Sequence, residues 1–204
     1  MVYSFKTIQE PAEGLYKEKG SKFVSFAYPV TDEAAVREII STLKKKFYDA
    51  RHHCYGWMLG ADRKNFRAFD DGEPNHSAGN PILNQIRSRQ LTDVVVVVVR
   101  YFGGVKLGVS GLVGAYRAAA EDALNHAVVV EKDVVRNLWL GYDYTATTQV
   151  MKLVRDFDVR IISQVFADDG SIEIQFRLRD EDKLLKKLFL LRETGTKISW
   201  RDGP

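Results

Sequence analysis

The chain has 204 residues, of which 45% are hydrophobic, and it carries a formal net charge of +3. This composition supplies apolar material for one large or two small cores, and it excludes a chain dominated by a basic nucleic-acid tail. A single cysteine excludes an intramolecular disulfide, and because neither a signal-peptide pattern nor a membrane-spanning apolar run occurs, we expect a cytoplasmic protein without membrane association.

The chain begins with a predicted strand and helix. Residues 20–30 are rich in β-branched and aromatic side chains and are predicted to form the first strand. Thr31 or Asp32 caps a helix that runs to about Phe47, in which apolar residues recur at helical spacing. Residues 44–46, all lysine, lie at its carboxyl end, where cations favour the helix dipole, so this interpretation gives them a structural role.

Two further strands and a loop are expected next. Residues 53–60 and Asn65–Phe69 predict strands, and the turn formers of residues 70–79 predict a loop. Pro81 suits the first turn of a short helix that ends near Gln90.

Six consecutive valines, at positions 94–99, predict a central strand buried on both faces. A glycine-rich turn over residues 101–111 follows it and leads into an alanine-rich helix that ends near residue 127. The first half of the chain therefore reads as an α/β unit.

The second half predicts the order β-α-β-β-α-β, which is the ferredoxin-like plan. A hairpin turn is expected at the Asp-Gly pair within residues 168–171, and residues 172–178 alternate between apolar and polar side chains. The predicted strands are 134–144, 159–167, 172–178 and 196–200, and the predicted helices are 145–157 and 180–192. We therefore expect an α+β protein with two domains, 1–131 and 132–204.

The glycine-rich turn is the first candidate site. Its glycines allow close backbone approach, and the N–H groups that open the next helix form a positive pole. Three basic side chains, Arg100, Lys106 and Arg117, add charge for a phosphate or an RNA backbone. The alternative is that the glycines serve only tight turning and close packing. The predicted anion- or RNA-binding residues are Arg100, Gly103, Gly104, Lys106, Gly108, Ser110 and Gly111.

The acidic loop is the second candidate. Asp70, Asp71 and Glu73 could hold magnesium or supply acid–base groups, or they could form scaffold by accepting helix amides or pairing with Lys106 and Arg100. No nucleophile–base pair accompanies them, so the sequence does not favour an enzyme. Apart from magnesium, no cofactor is expected.

Two other clusters are weaker candidates. In the run His52-His53-Cys54 alternate side chains point to opposite sides of a strand, which disfavours a metal site and favours a buried cysteine. Strand aromatics of the second half could stack single-stranded bases if they are exposed, although such residues are usually core. These aromatics are Trp139, Tyr142, Tyr144, Phe166 and Phe176.

Several stretches resemble one family, the IMPACT/YigZ family, over residues 17–127, and the remainder is similar to the small carboxyl-terminal domain of its bacterial members. The segments that carry this resemblance are ARHHCY at 50–55, DDGEP at 70–74, AGNPIL at 78–83 and VRYFGGVKLG at 99–108, followed by Gly111-Leu112. The family pattern has glycine where this chain has His76, which makes a binding role for that loop less secure.

The resemblance implies a first domain of the ribosomal-protein type with a left-handed βαβ crossover, and a second domain like the terminal domain of elongation factor G. It also implies a role in translation, because eukaryotic IMPACT proteins regulate translation by competing for the activator of a starvation-sensing kinase. Three hypotheses follow: a regulatory protein that binds RNA, the ribosome or a translation factor; a magnesium-dependent enzyme acting on a phosphorylated small molecule; and a protein-interaction adaptor.

Overall fold

The computed structural model describes residues 1–165 and 169–203. The chain divides into two compact units, one formed by Ser4–Lys132 and the other by Asp133–Pro204 together with Met1–Tyr3. No helix in the described part of the chain is both long and apolar enough to cross a membrane.

The first unit contains seven strands and three helices. Its strands are β1 (Ser4–Ile8), β2 (Ala12–Glu18), β3 (Ser21–Pro29), β4 (His52–Leu59), β5 (Asn65–Phe69), β6 (Val94–Tyr101) and β7 (Val129–Asp133). Its helices are α1 (Glu33–Lys46), α2 (Gly79–Ser88) and α3 (Gly108–His126). Five strands form one antiparallel sheet in the order β2-β3-β6-β4-β5, and β1 pairs with β7 in a small second sheet.

Strand β6 lies at the centre of the large sheet, which confirms the prediction from its valines. All six valines are fully buried. Val94, Val96 and Val98 pack in the core with residues of α2 and α3, whereas the three alternate valines pack in a separate core with residues of α1. The sheet is therefore covered on both faces, as a continuous apolar strand requires.

The helices of this unit begin and end close to the predicted residues. Asp32 caps α1, because its carboxylate accepts the backbone N–H of Ala35 at 2.9 Å. The last turn of α1 carries the three lysines 44–46. In α3 the small residues Ala119, Ala120 and Ala123 are fully buried.

The second unit has the ferredoxin-like order that the sequence predicts. Its antiparallel sheet runs β11-β8-β10-β9 and packs with two helices around one apolar core. The strands are β8 (Val135–Asp143), β9 (Arg160–Val165), β10 (Asp169–Arg177) and β11 (Ile198–Asp202); the helices are α4 (Thr147–Asp156) and α5 (Glu181–Glu193), with 3-10 turns at Tyr144–Ala146 and Leu178–Asp180.

Two predictions about elements are wrong. The strand expected first is the third, because β1 and β2 precede it. Asp169 and Gly170 do not form a turn but pair with Asp143 and Tyr142 inside the sheet. A side chain at Gly170 would meet the Tyr142 ring at 2.8 Å, so this glycine allows close packing within a strand. Asp168 lies outside the described residues.

Two of the four predicted strand aromatics that the structure describes in this unit belong to its core. Tyr142 and Phe176 are buried, so neither offers a face to a nucleic-acid base. Tyr144 is exposed but lies in a 3-10 turn, and Trp139 lies beneath Arg201, whose guanidinium is 4.6 Å from the indole ring. Phe166 lies outside the described residues.

Candidate functional site

A buried carboxylate connects the two sequence motifs of the first unit. Glu73, in the loop between β5 and α2, accepts a hydrogen bond from Arg100 Nη1 at 2.6 Å and another from the Tyr116 hydroxyl at 2.7 Å. Glu73 is only 8% exposed and Arg100 only 6%. The two opposite charges therefore compensate each other in the protein interior, where either charge alone would be unfavourable.

Cys54 and Tyr116 extend this network as uncharged groups. The Cys54 thiol lies 2.9 Å from the Asp70 carbonyl oxygen and 3.3 Å from the Tyr116 hydroxyl. Burial raises the pKa of Cys54 and the pKa of Tyr116. Both groups stay protonated at neutral pH, so Cys54 is a buried strand cysteine and not a thiolate nucleophile.

Asp70 closes the loop onto α2. Its Oδ1 accepts the backbone N–H groups of Ala78 and Gly79 at 3.0 and 2.8 Å, and its Oδ2 accepts that of His76 at 2.9 Å. These donors belong to the end of the loop and the start of α2, where backbone N–H groups lack partners within the helix. Asp70 thus performs the capping role that the N-cap residue, Ala78, does not.

Asp71 is also held by protein groups. Its Oδ2 accepts the backbone N–H of His53 at 2.7 Å, and its Oδ1 lies 3.2 Å from the Lys44 ammonium. With Glu73 on Arg100, each of the three predicted carboxylates has a protein partner. Among the described residues, no group of three or more His, Cys, Asp or Glu side chains is arranged to hold a metal ion. These contacts correspond to the scaffold alternative.

His76 occupies a left-handed backbone conformation, with φ of 65°. Its ring Nδ1 lies 2.9 Å from the side-chain amide nitrogen of Asn80. Left-handed φ favours glycine, which is the residue that the family pattern has here. The loop therefore keeps the glycine-type backbone while carrying an exposed imidazole.

The glycine-rich turn contacts the hairpin between β2 and β3. A Cβ built on Gly103 would lie 1.8 Å from the carbonyl carbon of Gly20, and the Gly103 N–H donates to Ser21 Oγ at 3.2 Å. Gly104 and Gly108 have φ of 88° and 72°. Close packing at Gly103 and tight turning at Gly104 and Gly108 therefore give these three glycines a structural role.

The amino end of α3 remains open to solvent. The helix begins at Gly108, and its N-cap residue, Leu107, makes no side-chain capping hydrogen bond. Lys106 and Ser110 are exposed, whereas Gly111 is partly buried. The first N–H groups of this helix have no intrahelical acceptors, so they are available to an anion.

Arg100 lies at the base of this turn. Its guanidinium carbon is 5.6 Å from the centre of the exposed Phe102 ring. Its Nε is the one buried side-chain nitrogen or oxygen without a hydrogen-bond partner among the described residues. Because Glu73 compensates the charge of Arg100, Lys106 is the uncompensated cation of the predicted set.

Sequence reasoning missed Tyr116 as a member of this network. Its only signal is that it is the single aromatic residue in the alanine-rich helix α3. The sequence offers His52 only as a metal ligand, but its Nδ1 lies 2.8 Å from the Asp71 carbonyl oxygen and its Nε2 lies 4.0 Å from Glu73. A pairing between a strand, a loop and a helix cannot be read from residue spacing.

Comparison with known proteins gives one consistent result. Residues 19–124 match the Impact N-terminal domain. The chain is 35% identical to the Bacillus subtilis IMPACT family member YvyE, over 76% of this chain and 72% of that protein. It is 33% identical to the Escherichia coli IMPACT family member YigZ, over 71% and 72% of the two chains. A crystal structure of a hypothetical protein covers 97% of each chain at 26% identity, with a TM-score of 0.76.

Proposed function

Because this chain belongs to the IMPACT family, we propose that it is a translation-linked regulatory protein that binds RNA or the ribosome through its glycine-rich turn. The link to translation is what the resemblance to the family implies, and membership of the family supports it. The proposed role places the protein in the cytoplasm. The alternative is that the same surface binds a translation factor instead of RNA.

The uncapped amino end of α3 is the observation that carries the proposal. An α-helix leaves its first N–H groups without acceptors, and the dipole of the helix adds positive potential there. In α3 no side chain at the N-cap takes these donors, and exposed Lys106 lies two residues before the helix. A phosphate oxygen would satisfy both the donors and the charge.

Arg100 adds a second supporting observation. A buried N–H group without a partner costs free energy, so its native complement is a water or a ligand oxygen. The Arg100 Nε, on the strand that enters the turn, has no hydrogen-bond partner among the protein groups that the structure describes. Its charge, however, is compensated by Glu73, so the net attraction for a phosphate would come from Lys106 and the helix.

A filter-binding titration with a structured RNA at two salt concentrations tests this proposal. Affinity should fall steeply with salt, and Lys106→Ala should weaken binding by about threefold to tenfold and lower the salt slope by about one. Lys152→Ala, at an exposed position of α4, is the matched control. If the two variants weakened RNA binding equally, the glycine-rich turn would not be the RNA-binding site. If the chain bound no RNA but captured a translation factor, and Lys106→Ala abolished that capture, the protein partner would be favoured.

A further inference from the structure

A groove runs beside α1 on the face of the large sheet opposite α2 and α3. Its volume is about 660 Å³, and it lies between the exposed side of the helix and strands β4 and β5. Its lining includes Arg37, Lys44, Lys45, Tyr48, Tyr55 and Phe69. The groove is separate from the glycine-rich turn. Two of the three lysines that the sequence assigns to the helix dipole, Lys44 and Lys45, line it.

Aromatic rings form one wall of the groove. Tyr55 and Phe69 are cross-strand partners whose ring centres are 5.2 Å apart, with planes inclined by 31°. Tyr48 follows α1 and is 84% exposed. Phe69 is also exposed, whereas Tyr55 is half-buried and packs against the core. Exposed rings are the surfaces on which unpaired nucleic-acid bases stack, because every base has a π face.

Three cations lie along the other wall. Arg37, Lys44 and Lys45 occupy one side of α1 over about 12 Å, at 1.5 Å per residue. No carboxylate lines the groove among the described residues.

The nearby carboxylates leave much of this positive charge available. Lys44 is 3.2 Å from Asp71, and Arg37 is 3.7 Å from Glu33 in an exposed pair that is weak in water. Lys45 is exposed and has no ion pair in the part of the chain that the structure describes. The wall therefore has net positive charge.

We propose that this groove binds a single-stranded RNA segment, whose bases stack on Tyr48 and on the Tyr55–Phe69 pair and whose phosphates contact Lys45 and Arg37. A single strand fits because the bases of a duplex are stacked internally and cannot reach the rings. An acidic peptide would satisfy the cations but would leave the exposed ring of Tyr48 without a matching partner. The combination of rings and cations therefore favours nucleic acid.

Fluorescence anisotropy of a labelled oligouridine with the full chain tests this inference. Tyr48→Ala should weaken binding by about tenfold, and Tyr48→Phe should retain most of the affinity because the ring is kept. Tyr144→Ala is the matched control, since Tyr144 is 75% exposed in the other unit. For the cations, Lys45→Ala should lower the salt slope by about 0.7, whereas exposed Lys64→Ala should not.

These variants change exposed residues, so loss of binding will not reflect loss of the fold. The inference is overturned if Tyr48→Ala and Lys45→Ala bind oligouridine as their controls do. It is also overturned if only Lys106→Ala weakens binding, which would assign the oligonucleotide to the glycine-rich turn. Tighter binding of a labelled polyglutamate peptide than of oligouridine, with the same dependence on Lys45, would assign the groove to an acidic protein segment.

Discussion

At the scale of single residues, Glu73 holds the loop, the central strand and α3 together through Arg100 and Tyr116. Removing its carboxylate leaves a buried guanidinium without its counter-charge. Glu73→Ala should therefore lower the free energy of unfolding by about 3 kcal/mol in urea denaturation. Glu38→Ala, at an exposed position of α1, should change it by less than about 0.5 kcal/mol. Similar small effects of both variants would contradict the role assigned to Glu73.

His53 should make stability depend on pH. Burial lowers the pKa of His53 below its ordinary value, although the nearby Asp71 carboxylate opposes this shift. The unfolded chain takes up the proton near pH 6.5, whereas the folded chain takes it up only at lower pH. The unfolded state therefore binds more protons in this window, and the free energy of unfolding should fall as the pH drops below about 6.5.

Urea denaturation at about pH 7.5 and pH 5.5 measures this effect. The His53→Gln variant removes the titrating group, so its free energy of unfolding should fall less between the two pH values than that of the parent chain. An equal or larger fall in the variant would mean that other groups account for the pH dependence.

His76 provides a test of backbone strain. Its φ of 65° is accessible to glycine without steric cost, whereas other residues lose about 1 kcal/mol there. His76→Gly should therefore raise the melting temperature. Relief of the strain stabilises the folded chain by about 1 kcal/mol, and the greater flexibility of the unfolded glycine chain offsets part of that gain. His76→Ala serves as the control, because it removes the imidazole and its Asn80 contact but keeps the strain. If both variants melted at the same temperature, the strain would not be the relevant property.

At the scale of elements, Gly103 and Gly114 test which glycines around the turn are structural. A Cβ at Gly103 would collide with the backbone of Gly20, whereas one at Gly114 would meet nothing within 4 Å. Gly103→Ala should destabilise the protein by about 3 kcal/mol, because backbone cannot move aside as a side chain can. Gly114→Ala should stabilise α3 by about 0.8 kcal/mol. Equal melting temperatures for the two variants would contradict this assignment.

Elements with a strong periodic signal could be predicted, and elements without one could not. The valines of β6 specify a strand buried on both faces, and the Asp32 cap specifies the start of α1. Strands β1 and β2 are harder to recognise because several of their side chains are only partly buried and β2 carries charged residues. Gly170 misled the prediction because its small size serves packing against Tyr142 as well as it serves a turn.

The candidate site was predictable as a pair of motifs but not as a network. Residue spacing identified the acidic loop and the glycine-rich turn, and it allowed a contact between them. It could not identify Glu73 as the carboxylate that meets Arg100, because the two residues are 27 positions apart and meet only in the folded chain. Nor could it assign Asp70 to α2, since Ala78 and Gly79 lie eight and nine residues away.

At the scale of the whole molecule, a small net charge is compatible with nucleic-acid binding, because the local arrangement of the positive groups matters more than the net charge. The net charge of +3 offers little long-range attraction. The proposed contacts instead use the amino end of α3 with Lys106, and the inferred groove uses the cations of α1. Both surfaces belong to the unit that matches the Impact N-terminal domain.

An NMR titration of the labelled full chain with a structured RNA tests the central claim most directly. The account predicts that the backbone amides of residues 106–111 shift on addition of RNA, because their N–H groups donate to phosphate oxygens. The shifts should diminish as salt is raised. Binding of the RNA with unchanged amide signals at residues 106–111 would contradict the assignment of the glycine-rich turn as the RNA-binding surface.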